Sequence, residues 1–436
     1  MKRVLLLGLA LFSIIMAEAQ DARVYRSEFI TYDKREDAAA DKRDETARYM
    51  DFTPVSIDVM NGAARYMQKF EIDASMNDYN LFFHIENHGS AYTLYINNQL
   101  VGEVEDPYTP TDFMVSRYLR QGVNEILICM RDSSTPNLQE GVTKPEFPIF
   151  ENSYLFAQRR LSVRDFDIVL EPDTTRQFAQ LKLNAIIAND FNFEETIQVG
   201  YDIYNPKGKL MDFSVNSLTL DGRSIDTLTF KPYIYHAYDF KWGEGKAPLY
   251  SVMLYIKRNG MLWEYIPLKV GFGKTEFRDG KFYRFDKILH LQKKEHFNAT
   301  PDREQTYKEI EQLKLRGYNT LCPDYPQPKW FYDMCDAAGM FVIDCANINS
   351  PTNSGNRAVG GTPANDPELV NEYLERVKSM YYRSRNHSCI VAFSLGGAQS
   401  GNGYNMYKAY EWLKSVEKHL PVFYEGAEGE WNTDSK

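Results

Sequence analysis

Apolar and polar residues alternate with a period of two along much of the chain up to about residue 272, and beyond it short apolar runs are separated by helix-period stretches. The run Leu-Phe-Phe-His-Ile at 81–85 and the run Tyr-Thr-Leu-Tyr-Ile at 92–96, followed by Asn97 and Asn98, predict short strands joined by tight turns. They place a jelly-roll sandwich over 20–160. A second set, at 180–184, 196–204 and 249–257 with an Asn-Pro-Lys-Gly turn at 205–208, predicts a smaller immunoglobulin-like sandwich over 161–272.

The pattern over 273–436 is strand, helix, strand, helix. A strand is expected at 288–291, and a helix at 301–316 with Pro301 in its first turn and Gly317 as its stop. Strands follow at 320–322, 340–344, 389–393 and 422–424, with helices at 329–338 and 406–418. The clearest helix opens at Pro367, after Asp366; Val370, Tyr373, Leu374, Val377 and Tyr381 recur at the 3.6-residue spacing of a helix packed on a sheet. Such alternation implies parallel strands with right-handed crossovers, a partial β/α barrel with five of the eight strands that closure requires.

Composition narrows the class. A chain of 436 residues with 14% aromatics has room for about three domains. Lys2 and Arg3 precede an apolar run from Val4 to Met16, and Ala17-Glu-Ala19 supplies the small residues of a cleavage site, so 1–19 read as a signal peptide and the mature chain as secreted or periplasmic. That run is too short to span a bilayer, and no later run is longer. A net charge of −10 argues against nucleic acid as a partner. The five cysteines, at 129, 322, 335, 345 and 389, form no Cys-x-x-Cys and have no histidine at ligand spacing, so neither a zinc site nor any other cofactor is expected. One disulfide is conceivable; buried free thiols are the commoner outcome for cysteines in apolar runs.

The chemistry-bearing stretch is 394–404, Ser-Leu-Gly-Gly-Ala-Gln-Ser-Gly-Asn-Gly-Tyr, at the C-terminal end of the strand expected at 389–393, where barrel enzymes place their sites. Glu425, Glu428 and Glu430 read as solvated loop acids, and His296 and His387 as inward structural histidines. Trp412 reads as core; Trp330 and Trp431 are open to a stacking role. The loop 350–365 lies on the pocket side as either a lid or an insertion. Gly271-Phe-Gly-Lys-Thr275 ends like a phosphate loop, but Leu268 stands where its first glycine belongs.

Several motifs resemble glycoside hydrolase family 2, the β-galactosidase and β-glucuronidase group. They are Val270-Gly-Phe272, Phe331-Tyr-Asp-Met-Cys-Asp336, the segment from Val342 to Ile348, Asn386-His387, Ser394-Leu-Gly396 and Gly401-Asn-Gly-Tyr-Asn405. The resemblance implies a jelly roll and an immunoglobulin-like domain ahead of a catalytic TIM barrel. It also shows departures. The family's Ser-Leu-Gly-Asn-Glu would put its acid/base Glu at Gln399 or Ala398; Asn349 and Pro351 stand where a Glu and a His bind magnesium in some members. Cys322-Pro-Asp-Tyr-Pro326 replaces the segment with the family's Arg and His, Lys293-Lys-Glu-His296 stands for Arg-His-Glu-His, and the nucleophile belongs to a strand beyond Lys436.

These departures imply a catalytically inactive, carbohydrate-binding homologue with no catalytic residue and no metal, whose ligand contacts are Glu295, Asp324, Tyr325, Asn347 and Gln399. Two alternatives stay open: an assembly protein whose open barrel another chain or a second copy completes, and an active β-glycosidase or a fragment of one.

Overall fold

The computed structural model describes residues 22–40, 49–60, 63–86, 89–131, 138–142, 144, 146, 148–243, 245–351 and 355–435. The expected signal peptide lies outside the described residues. Among these residues no helix is long and apolar enough to cross a membrane.

Alternation in the first third builds two five-stranded sheets. One has the order Arg23–Val24, Thr111–Met114, Tyr79–Ile85, Tyr154–Arg159, Tyr49–Asp51; the other runs Val55–Met60, Ala63–Ile72, Gly122–Met130, Tyr92–Ile96, Gln99–Val104. Phe83, Leu94, Ile126 and Ile128 meet in the core between them. Asn97 and Asn98, with φ of 50° and 61°, form the two-residue turn of the hairpin, a left-handed conformation Asn tolerates better than most residues.

The second sandwich pairs Leu161–Pro172, Ala179–Asn189 and Ser224–Phe230 in one sheet, and Leu210–Leu220, Glu195–Tyr204, Leu249–Arg258 and Met261–Gly271 in the other. Leu181, Leu183, Ala185 and Ile187, spaced by two, are fully buried. The N-terminal segment does not stay on the first sandwich: Tyr32 exchanges backbone hydrogen bonds of 2.9 and 2.8 Å with Tyr265.

The third unit is a five-stranded parallel sheet in sequential order: β1 (Lys293–Glu295), β2 (Thr320–Cys322), β3 (Phe341–Cys345), β4 (Ile390–Ser394) and β5 (Val422–Phe423). The crossovers are α1 (Arg303–Leu315), α2 (Lys329–Ala338), α3 (Val370–Ser384) and α4 (Tyr404–Val416). Two expectations need correction. The stretch 288–291 is not the first barrel strand; Lys287–Leu289 closes an antiparallel sheet with Thr275–Arg278 and Lys281–Arg284. The first barrel strand is the charged Lys-Lys-Glu run, which has no apolar signature because it lies at the sheet edge. Pro301 also lies outside α1, whose cap is Asp302, accepting from the N–H groups of Glu304 (2.9 Å) and Gln305 (3.0 Å).

The small antiparallel sheet lays Phe277 and Phe282 against Phe423, with ring centres 5.5 and 5.9 Å apart. Trp242 packs on Phe341 and donates its indole N–H to the Asp336 carbonyl at 2.7 Å. At the outer edge of β5, the Asp434 N–H bonds the Val422 carbonyl at 2.8 Å, its carboxylate accepts from the Val422 N–H at 2.8 Å, and Thr433 Oγ1 accepts from the Tyr424 N–H at 3.1 Å. These contacts occupy backbone groups that another strand would otherwise need.

Candidate functional site at the mouth of the parallel sheet

Parallel register sorts the strand-end residues onto faces. Glu295 pairs with Cys322, Cys345 with Ser394, and Ser394 with Phe423, so these side chains share the inner face, while Asp344 and Phe393 face the helices. Burial pushes the Cys345 thiol up to about 12 and raises that of Cys322. All five cysteines are free, four of them buried, which leaves them as apolar packing groups.

The loops after β1 and β2 meet through Asp324. One carboxylate oxygen bonds His296 Nδ1 at 2.6 Å and the other accepts from Asn298 Nδ2 at 2.8 Å, while the Asp324 N–H returns to Asn298 Oδ1 at 3.0 Å. His296 is not the inward histidine expected from sequence. Its side chain is 81% exposed and its backbone is left-handed at φ 55°, which turns the ring out of the sheet and over Asp324. The hydrogen bond to Asp324, followed by the charge of that carboxylate, raises the imidazole above its ordinary range. Glu295 is exposed, and Tyr325 is buried with its ring 5.6 Å from that of Tyr108 in the first sandwich.

The loop after β3 is built jointly by barrel and sandwich. Asn347 is fully buried and donates its amide to Asp106 Oδ1 at 2.5 Å. Arg376, on the inner face of α3 with a side chain only 3% exposed, donates to the Asn347 carbonyl at 2.6 Å and to Gln139 Oε1 at 2.9 Å, and lies 3.8 Å from Asp106. Burial opposes ionisation of Asp106, but the Arg376 charge together with hydrogen bonds from Thr109, Asn347 and the Tyr108 N–H holds the carboxyl below its usual range. Asn349 is tied to the same sandwich loop: its N–H bonds the Leu138 carbonyl at 2.5 Å and its carbonyl accepts from Gly141 at 2.7 Å. Asp106, Gln139 and Arg376 escape a reading by motif. Arg376 does fall between Tyr373 and Val377 on the stripe predicted to be buried, which was the available signal.

After β4, Ala398 and Gln399 stand exposed on a single 3₁₀ turn, anchored by a 2.7 Å bond from the Gly397 N–H to the Ile348 carbonyl and by Ser400 Oγ, which accepts from Ser350 at 3.0 Å. The five expected ligand residues therefore divide between exposed Glu295 and Gln399, Asp324 held by His296 and Asn298, and buried Tyr325 and Asn347. Within the loop 350–365, Arg357 bonds Glu430 and Tyr407, the latter at 2.7 Å. Trp431 stacks on Tyr407 and stays 50% exposed. Trp412 packs on Tyr381 with ring centres 6.0 Å apart. Glu425 and Glu428 are exposed, as a solvated loop predicts, whereas Glu430 is half-buried and held by Arg357 and Tyr407.

Two clusters carry metal-ligand residue types, and both lie away from this mouth: Glu28, His84 and Glu86, and Asp333, Asp336 and His387. In the first, burial works against a charged imidazole, yet Asp112 and Glu28 raise His84 to about 10, so both ring nitrogens donate, to Asp112 at 2.6 Å and Glu86 at 3.2 Å. The ring then has no lone pair to offer an ion. In the second, His387 Nδ1 bonds Asp336 at 2.7 Å while the other Asp336 oxygen accepts from the Cys389 N–H at 2.7 Å, an inward structural link between α2 and β4.

The model described as "Glycosyl hydrolases family 2, TIM barrel domain" matches residues 291–435, and that described as "Glycosyl hydrolases family 2, sugar binding domain" matches 44–142. The chain belongs to glycosyl hydrolase family 2. A β-galactosidase of Streptococcus thermophilus is 26% identical over 385 residues, covering 84% of this chain and 36% of its own length. Another from Priestia megaterium is 26% identical over 383 residues with the same coverage. The chain thus spans about a third of these relatives. Among solved structures, a family 2 member from Bacteroides cellulosilyticus superposes with a TM-score of 0.68 at 17% identity, covering 83% of this chain and 49% of the other. A Bacteroides uniformis β-glucuronidase 2 gives 0.69 at 16% identity, covering 83% and 46%.

Proposed function

We propose that this family 2 chain is an exported protein that binds carbohydrate at the mouth of its parallel sheet and does not hydrolyse glycosides. The observation that carries the reading is the pair Ala398 and Gln399 on the turn after β4, where the family's acid/base glutamate belongs. Neither side chain can protonate a leaving oxygen, a function that contributes ~10²–10⁴ in rate. A retaining mechanism needs two carboxyl groups about 5–5.5 Å apart, one as acid/base and one as nucleophile. At the mouth, Asp324 has both oxygens engaged by His296 and Asn298, which favours a positioning role over an attacking one. Exposed Glu295, Gln399 and His296 offer acceptors and donors for sugar hydroxyls.

The test uses the mature protein with aryl β-galactosides, β-glucuronides and β-mannosides alongside thermal melting with the same sugars. The expected result is no turnover and a raised melting temperature with one sugar class; a ligand at 100 times its dissociation constant adds about 2.7 kcal/mol. Turnover that disappears on Glu295→Gln or Glu425→Gln would overturn the reading and establish a glycosidase with relocated acids.

A further inference from the structure

A cavity of about 820 Å³ lies where the N-terminal segment, both sandwiches and the outer side of α2 and α3 meet. It is separate from the mouth: its barrel wall comes from Trp330, Asp333, Asp336 and Arg383 on those helices and from His387 just beyond them, whereas the mouth lies at the C-terminal ends of the strands. Cavities of roughly 300–1,000 Å³ at domain junctions are the usual places for small ligands.

Most charges around it are already paired; Lys269, bonded to Ser251 Oγ at 2.6 Å, and Arg303 line it as exposed cations with no carboxylate partner among the described residues. Lys329 contacts Asp333 at 2.6 Å, Arg383 lies 3.3 Å from Glu28, His387 bonds Asp336 at 2.7 Å, and His84 meets Glu86 at 3.2 Å. An ionic ligand lodged against the buried pairs of Arg383 with Glu28 and His387 with Asp336 would have to break one of them and leave its partner uncompensated, a cost that rises with burial. A neutral ligand would not. Hydrogen-bonding capacity remains: the Arg383 side chain is 8% exposed, yet its Nε–H has no acceptor, and the nearby Glu28 Oε2 accepts no hydrogen bond. Tyr154, Phe166 and Trp330 add aromatic faces to the same walls, and Arg303 lies 5.2 Å over the Trp330 ring. Paired planar ions that can still bond hydroxyls, set among aromatic rings, suit a polyhydroxylated and uncharged molecule.

We infer that this interdomain cavity is a second carbohydrate site, selective for neutral di- or trisaccharides and independent of the mouth. The experiment is calorimetric titration of the full mature chain with lactose, cellobiose and mannobiose, with glucuronate and glucosamine as charged comparisons. Three variants divide the outcomes: Ala39→Trp, at an exposed position lining the cavity, Ser251→Tyr on another wall in case the first is misfolded, and Gln399→Trp at the mouth. The expected result is a neutral disaccharide whose affinity falls at least tenfold in a cavity variant that melts like the wild type, and is unchanged by Gln399→Trp. Binding lost only with Gln399→Trp would overturn the cavity site while leaving the mouth reading intact. Tighter binding of either charged sugar, or no heat from any sugar, the cavity then holding water only, would overturn it as well.

Discussion

Replacing Asp344 by Asn should stabilise the protein, and only at pH values above the ordinary carboxylate range. Asp344 is fully buried on the helix-facing side of β3, and burial raises its carboxyl from 3.8 to about 6 against the opposing hydrogen bonds of Ser384 and Tyr332. Below pH ~4 the group is protonated both folded and unfolded, so it contributes nothing. Between about 4 and 6 the unfolded chain gives up its proton while the folded one keeps it, and stability falls as pH rises. Above 6 the penalty is complete; a shift of about two units corresponds to ~3 kcal/mol at about 1.36 kcal/mol per unit. Asparagine fits the same contacts. Its Oδ1 can accept from the Tyr332 hydroxyl, now at 2.9 Å, and from the Cys345 N–H, now at 3.1 Å, while its amide faces Ser384. Urea unfolding read by tryptophan emission reports on this unit, because Trp242 lies in its core and Trp330 and Trp412 pack, half-buried, against it. With a slope of about 2 kcal/mol/M, the midpoint of Asp344→Asn at pH 8 should rise by roughly 1–1.5 M and hardly at all at pH 4. Equal shifts at both pH values, or a loss at pH 8, would refute the reasoning and mean that the carboxylate is ionised and used by its neighbours.

Arg376→Met removes the cation between Asn347, Gln139 and Asp106 and leaves a buried carboxylate unpaired, so the melting temperature should fall by an amount equivalent to about 3–5 kcal/mol; the double variant with Asp106→Asn should recover part of it. Asp324→Asn withdraws the interaction that raises His296, and the imidazole should titrate at lower pH when its ring protons are followed by NMR. Native protein should expose at most one fast-reacting thiol to Ellman's reagent, at half-buried Cys129, and five after unfolding.

The elements visible in the sequence are those whose burial follows one local period. α2 and β2 fall where the pattern puts them, and of the expected stripe Tyr373, Val377 and Tyr381 are buried on α3 while Val370 and Leu374 flank them half-buried. Elements held by tertiary contacts carry no such pattern. β1 is Lys-Lys-Glu because it lies at an edge, and the 288–291 stretch, which looks like a barrel strand, gives Ile288 and Leu289 to the small sheet beneath the barrel instead. The same limit applies to the site. Gln399, Asp324 and Asn347 could be placed at the mouth because each follows a strand, but the links from Asp106 and Gln139 to Arg376 join residues more than two hundred positions apart, and no local spacing encodes them.

That separation bears on the proposed reading of binding without hydrolysis. The contacts that shape the mouth are the Arg376 clamp and the backbone exchange between Asn349 and the 138–142 loop. Neither passes through the turn at Ala398 and Gln399. The turn at Ala398 and Gln399 is held by the backbone bond from Gly397 and by Ser400 rather than by either exposed side chain, so either side chain can be changed without loosening the loop that presents it. Restoring a carboxylate by Gln399→Glu should therefore leave the fold unchanged and still give no turnover, because retaining hydrolysis needs a second carboxyl group at a fixed distance and Asp324 is held by His296 and Asn298. Turnover in that single variant, measured with an aryl β-galactoside, would show that a nucleophile is already in place.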